Sequence, residues 1–269
     1  MSRDARTPDG VPTDVAHNAR VWNHWLGGKD NYPSDREVGD RVFSMYPSIV
    51  HVARADRAFL GRAVRFLAGE AGMRQFLDIG TGLPTADNTH EVAQRRAPDA
   101  RIVYVDNDPL VLVQARRLLT STPQGATDYV EADAHDPHAI IDAAARTLDF
   151  DRPVAVMLLG ILNFIMDTGE ARSIVDRLVA AVPSGSYLAL THPTLELGGE
   201  GNLEAMEFWN ANAKPPIRAR TGEEIAGFLT GVELVEPGLV SCSRWRPETS
   251  RSGEAPPIVA QYGAVGRKP

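Results

Sequence analysis

Residues Arg74 to Pro109 read RQFLDIGTGLPTADNTHEVAQRRAPDARIVYVDNDP, and this stretch decides the fold. Phe76-Leu77 is a short apolar run leading into Asp78, after which Gly80 and Gly82 open a turn. A segment of helical composition follows, and a second apolar run, Ile102 to Val105, ends on Asp106. Strand, glycine turn, helix, strand and acid, in that order, make the first half of a nucleotide-binding α/β sheet. Without a Cβ, Gly80 and Gly82 let the backbone turn sharply and let a ligand approach it closely. Asp106 stands at the carboxyl end of its strand, where a carboxylate can accept hydrogen bonds from both hydroxyls of a ribose.

Composition limits what such a sheet can serve. A chain of 269 residues, 43% apolar and 23% charged, has the make-up of a globular protein and the length for one large domain. Its net charge of -7, with no basic strip interleaved with aromatics, argues against nucleic-acid phosphates as the partner. The single cysteine, Cys242, excludes an internal disulfide, fits a reducing compartment, and reads as buried packing rather than a nucleophile. No CxxC or HExxH occurs, so no metal site is expected. No apolar run is long enough to span a bilayer and no apolar signal core opens the chain, so a cytoplasmic protein without a membrane partner is expected.

Along the chain, residues 1–14 are polar and rich in Pro and Gly, and read as a disordered lead. Residues 15–72 read as an N-terminal helical cap and a first helix: Gly27-Gly28 breaks two helices, and Ile49, Val52, Ala53, Phe59, Leu60, Ala63, Val64 and Leu67 follow helical spacing. Residues 73–269 then form the nucleotide-binding domain. Strands are expected at 75–79, 101–105, 127–131, 153–159 and 186–191, alternating with helices at 88–97, 109–120, 137–148 and 170–182. That rhythm implies a mostly parallel sheet with helices on both faces. An insertion at 194–219 carries a helix near Leu203 to Asn212, Thr221 starts another, and strands at 232–240 and 257–266 pair antiparallel at the sheet edge.

Three acids carry the chemistry. Asp78, two residues before the first glycine, can receive a positively charged amino group, or it can simply cap amides of the turn. Asp133, just past the third strand in Tyr129-Val130-Glu131-Ala132-Asp133-Ala134, can accept from the exocyclic amine of adenine while the Ala134 amide meets a ring nitrogen. With Asp106, these acids lie at three successive strand ends and converge on one crevice. The glycine turn alone is a weak signal, and Thr85 stands where a dinucleotide fingerprint requires Gly or Ala.

On these residues the chain resembles the class I S-adenosylmethionine-dependent methyltransferases. Asp78-Ile79-Gly80-Thr81-Gly82 matches their DxGxG motif, Asp106 their ribose acid and Asp133-Ala134 their adenine-contacting pair. Leu159-Gly160-Ile161-Leu162-Asn163-Phe164 matches the fourth-strand exit that faces the substrate, and Val182 to Leu188 matches the turn before strand five. Pro84 departs from the pattern where many members carry a third glycine. A narrower resemblance lies in Asn23-His24-Trp25-Leu26-Gly27-Gly28-Lys29-Asp30-Asn31-Tyr32, with Asp35-Arg36-Glu37, and in Asp78 to Thr85. Both phrases are similar to an actinobacterial family named only as S-adenosyl methyltransferase and formerly a domain of unknown function.

The resemblance implies a Rossmann-like, seven-stranded, mostly parallel sheet with an antiparallel last strand and an N-terminal helical cap. It implies S-adenosylmethionine as cofactor, held by Asp78, Gly80, Thr81, Gly82, Asp106, Asn107, Asp133, Ala134 and Gly160, with Lys29, Tyr32 and Arg36 reaching in from the cap. The acceptor would be a small molecule, for which the acidic charge and the insertion also argue. Methyl transfer from a sulfonium needs chiefly alignment, and an oxygen or nitrogen acceptor often needs a base as well. His192 is the base best placed for that role and His24 the second, with Asn163 orienting the acceptor. Two other readings stay open: a nicotinamide-dependent oxidoreductase, which shares Gly80, Gly82 and Asp106, and a non-catalytic S-adenosylmethionine-binding protein.

Overall fold

A computed structural model of the protein describes residues 13–84, 87–118, 120–248 and 254–269. Most of the expected lead, and Thr85, therefore lie outside the described residues. The chain opens with β1 (Ala16–His17), α1 (Asn18–Trp25), α2 (Pro33–Met45) and α3 (Ile49–Gly69). The α/β alternation then runs β2 (Gln75–Ile79), α4 (Thr89–Gln94), β3 (Arg101–Asp106), α5 (Pro109–Leu118), β4 (Ala126–Glu131), α6 (Pro137–Ala144), β5 (Ala155–Leu159), α7 (Thr168–Ala180) and β6 (Tyr187–Pro193). The C-terminal part adds α8 (Asn202–Asn212), β7 (Ala213–Lys214), α9 (Gly222–Gly227), β8 (Glu233–Leu234), β9 (Val240–Ser241) and β10 (Gln261–Arg267).

The main sheet runs β4-β3-β2-β5-β6-β10-β8, with β9 pairing a second part of β10. Strands β2 to β6 pair in parallel, and β10 is antiparallel to β6, β8 and β9. Side chains alternate between two cores, as the pleat requires. Phe76, Ile102, Tyr104, Ala155 and Met157 pack with Val64 and Leu67 of α3 on one face. Leu77, Val103, Val105, Val156 and Leu158 pack with Ile140 of α6 and Ile174 and Leu178 of α7 on the other. A sheet covered on both faces needs nearly unbroken apolar strands, which is why β5 reads AVMLL.

One expected element is corrected. The strand at 232–240 is two short strands, β8 and β9, because the chain turns between them: the Gly238 amide donates to the Val235 carbonyl at 2.9 Å with Gly238 at φ +83°. The sheet thus has eight strands, in the order of a seven-stranded one whose edge strand is interrupted.

The N-terminal cap has its own hub. Asp35 is 0% exposed; its Oδ1 accepts from the His17 amide at 3.0 Å and from Arg20 Nε at 3.1 Å, and its Oδ2 accepts from the Tyr32 amide at 2.8 Å. One carboxylate thereby fixes β1, α1 and the start of α2 together, and the buried guanidinium of Arg20 is neutralised where it sits. The insertion completes the cap, since β1 pairs in parallel with β7 through Ala16↔Ala213 and His17↔Lys214.

Candidate functional site

Because β2 to β5 are parallel, their carboxyl ends open on the same side, and a cavity of about 650 Å³ lies there beneath the cap. Its floor is the glycine turn. Gly80 (φ +77°) and Gly82 (φ +64°) both adopt left-handed backbone that side-chain-bearing residues avoid. A Cβ on Gly80 would stand 2.6 Å from Ile161 Cδ1, whereas nothing lies within 4 Å of one on Gly82, whose backbone faces open space. The turn is tied to the next strand: the Gly80 amide donates to the Val105 carbonyl at 2.8 Å and the Gly82 amide to Asp106 Oδ2 at 2.9 Å. Thr81 laces the turn internally, its hydroxyl donating to the carbonyls of Asp78 and Val105 at 3.3 Å each.

The three acids line this cavity. Asp78 is 4% exposed and accepts from Thr89 Oγ1 at 2.6 Å. Burial pushes its carboxyl up to about 6, against the Thr89 bond and the Arg57 charge, with Asp106 pushing it further. Asp106 accepts the Asp108 amide at 2.9 Å as well as that of Gly82, and burial raises it above the ordinary carboxylate range. Asp133 accepts from the His135 amide at 2.9 Å, contacts His135 Nδ1 at 2.6 Å and accepts from Asn107 Nδ2 at 3.1 Å. Burial opposes ionisation there, but the bonds from His135 and Asn107 prevail and hold its carboxyl low. Ala134, Asn107 and Gly160 (φ +62°) share the lining.

Several expected residues lie elsewhere. His192 is 0% exposed and does not line the cavity. Its Nδ1 contacts the Pro193 carbonyl at 2.8 Å and its Nε2 faces Arg220 Nη1 at 2.9 Å. An arginine can only donate, so Nε2 accepts and the ring is the neutral Nδ1–H tautomer. Burial depresses its pKa to about 4, and both ring nitrogens are engaged. The ring therefore lies outside the cavity with both nitrogens engaged. His24 pairs on the surface with Asp40 at 2.8 Å. Lys29 is exposed and outside the lining. Arg36 donates to the Asn31 carbonyl at 2.9 Å. Tyr32 packs beside Leu83 and Leu110, with the Arg20 guanidinium 5.3 Å above its ring. Cys242 is fully buried, which pushes its thiol up and leaves it unreactive. Among the expected catalytic residues Asn163 alone reaches the cavity, from a 3-10 turn at Leu162–Phe164.

Residues that the motifs did not reveal complete the site. From α3 come Asp56 and Arg57, the latter donating to Asn88 Oδ1 at 3.3 Å. From the cap come His17, whose Nδ1 lies 2.9 Å from Asp108 Oδ2, and Asn18, whose buried Oδ1 has no hydrogen-bond partner among the described residues. Trp22 and Trp25 of α1, Tyr46, and Trp209 of the insertion form an aromatic wall, with Met206 beside them in the lining. No group of three or more potential metal ligands occurs among the described residues, and none of the described helices is long and apolar enough to cross a membrane.

Comparison with known proteins gives this geometry a context. The sequence profile of a family described as S-adenosyl methyltransferase matches residues 4–269. A DUF574 family protein from Streptomyces avermitilis is 46% identical, with TM-score 0.91 over 96% of this chain and 99% of that one. A protein from Thermobifida fusca described as a possible methyltransferase is 40% identical, with TM-score 0.85 over 95% of this chain and 96% of that one. An O-methyltransferase family protein from Burkholderia thailandensis shares the fold at 17% identity, TM-score 0.55, over 82% of this chain and 58% of that one. No curated protein matches the chain.

Proposed function

The chain belongs to the S-adenosyl methyltransferase family, and from that premise we propose that it methylates a small molecule enclosed beneath its N-terminal cap. It is an S-adenosylmethionine-dependent methyltransferase, and the nicotinamide reading is not favoured. The observation that carries the finer reading is the continuity of one cavity from the strand-end acids to the aromatic wall. A protein that only sensed the cofactor would have no use for the second half.

S-adenosylmethionine supplies an activated methyl group on a positively charged sulfur. In our reading Asp106 holds its ribose: each carboxylate oxygen already accepts one amide and keeps a lone pair for a hydroxyl. Asp133 and the Ala134 amide take the adenine, and Asn107 keeps Asp133 in place. Asn18 covers the ribose side, next to the His17–Asp108 pair. Asp78 receives the ammonium of the methionine end, and Arg57 its carboxylate. That opposition of charges is supported by the mutual influence of Arg57 and Asp78 on each other's ionisation. The cavity's volume of about 650 Å³ and the net charge of -7 support a small acceptor over nucleic acid. A single, buried cysteine supports a reducing, cytoplasmic setting.

Calorimetric titration with S-adenosylmethionine, S-adenosylhomocysteine and NAD tests this reading. Binding of both sulfur ligands is expected, with a loss of about 100-fold in Asp106→Ala, as two hydrogen bonds to a charged group imply. Binding of NAD alone would contradict it.

A further inference from the structure

Two buried acceptors face the cavity outside the set assigned to the cofactor. Along α3 the cavity is lined by Ile49, Val52, Asp56, Arg57 and Leu60, so a carboxylate interrupts a stripe that otherwise packs. Asp56 is 8% exposed, and Gln261 Nε2 donates to its Oδ1 at 2.6 Å and to Thr191 Oγ1 at 3.2 Å. Gln261 begins β10 and Thr191 lies near the end of β6, where its carbonyl accepts the Gly160 amide at 3.1 Å. Asp56 is therefore held beside Gly160, at the exit of β5. A carboxylate has about four acceptor sites, and Gln261 and Thr191 occupy two.

The second acceptor is Asn163, three residues after Gly160. It is 5% exposed, and its Oδ1 has no hydrogen-bond partner among the described residues. A buried polar group left so is penalised by its lost hydration, which a ligand donor would recover. Around these acceptors the walls are flat and apolar. Trp25 lies 5.9 Å from Trp22 and 6.2 Å from Trp209, centroid to centroid. The indole N–H of Trp25 donates to the Gly39 carbonyl at 3.1 Å and that of Trp209 to the Pro215 carbonyl at 2.9 Å. Both rings thus present carbon surface to a ligand and no donor.

Building on the methyltransferase reading above, we propose that the acceptor is a flat aromatic alcohol, that its hydroxyl is the methylated group, and that Asp56 is the base. The hydroxyl oxygen bonds the methyl carbon as the carbon–sulfur bond breaks, and its proton passes to Asp56, leaving S-adenosylhomocysteine, the methyl ether and a neutral carboxyl. An acceptor ammonium would enter beside the Arg57 guanidinium and has no lone pair to offer the methyl carbon. An acceptor anion would meet the Asp56 carboxylate, which repels it, and the Asn163 Oδ1, which offers it no donor. A neutral donor suits both, and general-base catalysis is worth roughly 100-fold or more. Burial raises Asp56 above the ordinary carboxylate range despite Thr191, Gln261 and Arg57, which draws it nearer the pKa of a useful base.

The test uses protein saturated with S-adenosylhomocysteine and reads quenching of tryptophan fluorescence by four bicyclic probes. These are 2-naphthol, 2-methoxynaphthalene, 2-naphthoate and 2-naphthylmethylammonium. Expected is quenching by 2-naphthol, with the ether and both ions at least about tenfold weaker, since a hydrogen bond to a charged group is at stake. Asp56→Asn should keep S-adenosylhomocysteine affinity, lose the preference for 2-naphthol over its ether, and slow formation of 2-methoxynaphthalene from S-adenosylmethionine by roughly 100-fold. If Asp56→Asn does not fold, Asn163→Leu should bind S-adenosylhomocysteine and weaken 2-naphthol. The proposal is overturned if 2-naphthol does not quench, if either ion binds as well, or if the variant that folds retains the wild-type preference. Failure of S-adenosylhomocysteine itself to bind would instead remove the methyltransferase reading.

Discussion

The two halves of the cavity are built on opposite plans. In the half we assign to the cofactor, the strand-end acids are held across short loops: Asp106 accepts from Gly82 and Asp108, and Asp133 accepts from His135 and Asn107, while Asn18 Oδ1 has no hydrogen-bond partner among the described residues. The shape of this half is set by backbone, through glycines at positive φ at the ends of parallel strands. In the half we assign to the acceptor, shape is set by side chains from α1, α3, α8 and β10, brought together over most of the chain, and Asn163 Oδ1 has no hydrogen-bond partner among the described residues. A ligand common to a whole family can be held by a frame of backbone. A ligand particular to one member is met by a wall of side chains drawn from distant parts of the chain.

The largest effect that bears on this contrast is expected at the hub of the cap. Asp35→Ala strands the buried Arg20 guanidinium and should cost about 3–5 kcal/mol, measured as a loss of stability to urea. A cost below about 1 kcal/mol would show that the cap does not depend on that carboxylate.

Next is the ionisation of Asp78, which belongs to the cofactor half. Its pKa stands near 6, and the ionised form is the one that pairs with a ligand ammonium. S-adenosylhomocysteine affinity should be full above that value and fall by up to about tenfold for each unit below it. In the free protein the sign reverses. A carboxyl raised above its ordinary 3.8 favours the protonated fold, so the contribution of Asp78 to stability is present below about 4 and is lost as pH rises through about 6. Asp78→Asn should flatten both profiles, read by calorimetry and by urea denaturation.

The smallest effect is expected at His192. With its ring outside the cavity and both nitrogens engaged, His192→Gln should leave S-adenosylhomocysteine affinity within about twofold while lowering stability. A large loss of affinity would mean that the boundary of the site has been drawn in the wrong place.

The contrast also explains what the sequence disclosed. Apolar runs with glycine and acid punctuation reported the parallel strands and their carboxyl ends, because those features are local. The acids that line the cavity followed from the same stretches. The aromatic wall did not: Trp22 and Trp25 read equally as packing, and Trp209 lies in the insertion, far from both in sequence. For His192 the sequence hides its surroundings, because Arg220, which occupies its Nε2, lies 28 residues away. One signal was legible and passed over. Asp56 falls on the helical stripe of Val52, Ala53, Phe59, Leu60 and Ala63, and a carboxylate in an apolar stripe marks a buried charge. The edge strand was drawn too long because Pro237-Gly238, a turn signal, lay within an otherwise strand-like run.

The measurement that tests the division most directly is a crystal structure of the protein with S-adenosylhomocysteine. The ribose is expected on Asp106, the adenine beside Asp133 and Ala134, and the ammonium on Asp78, with Asp56, Asn163, Trp25 and Trp209 bordering space left open. A ligand whose adenosine lies against Trp25 and Trp209, away from Asp106, would contradict the account.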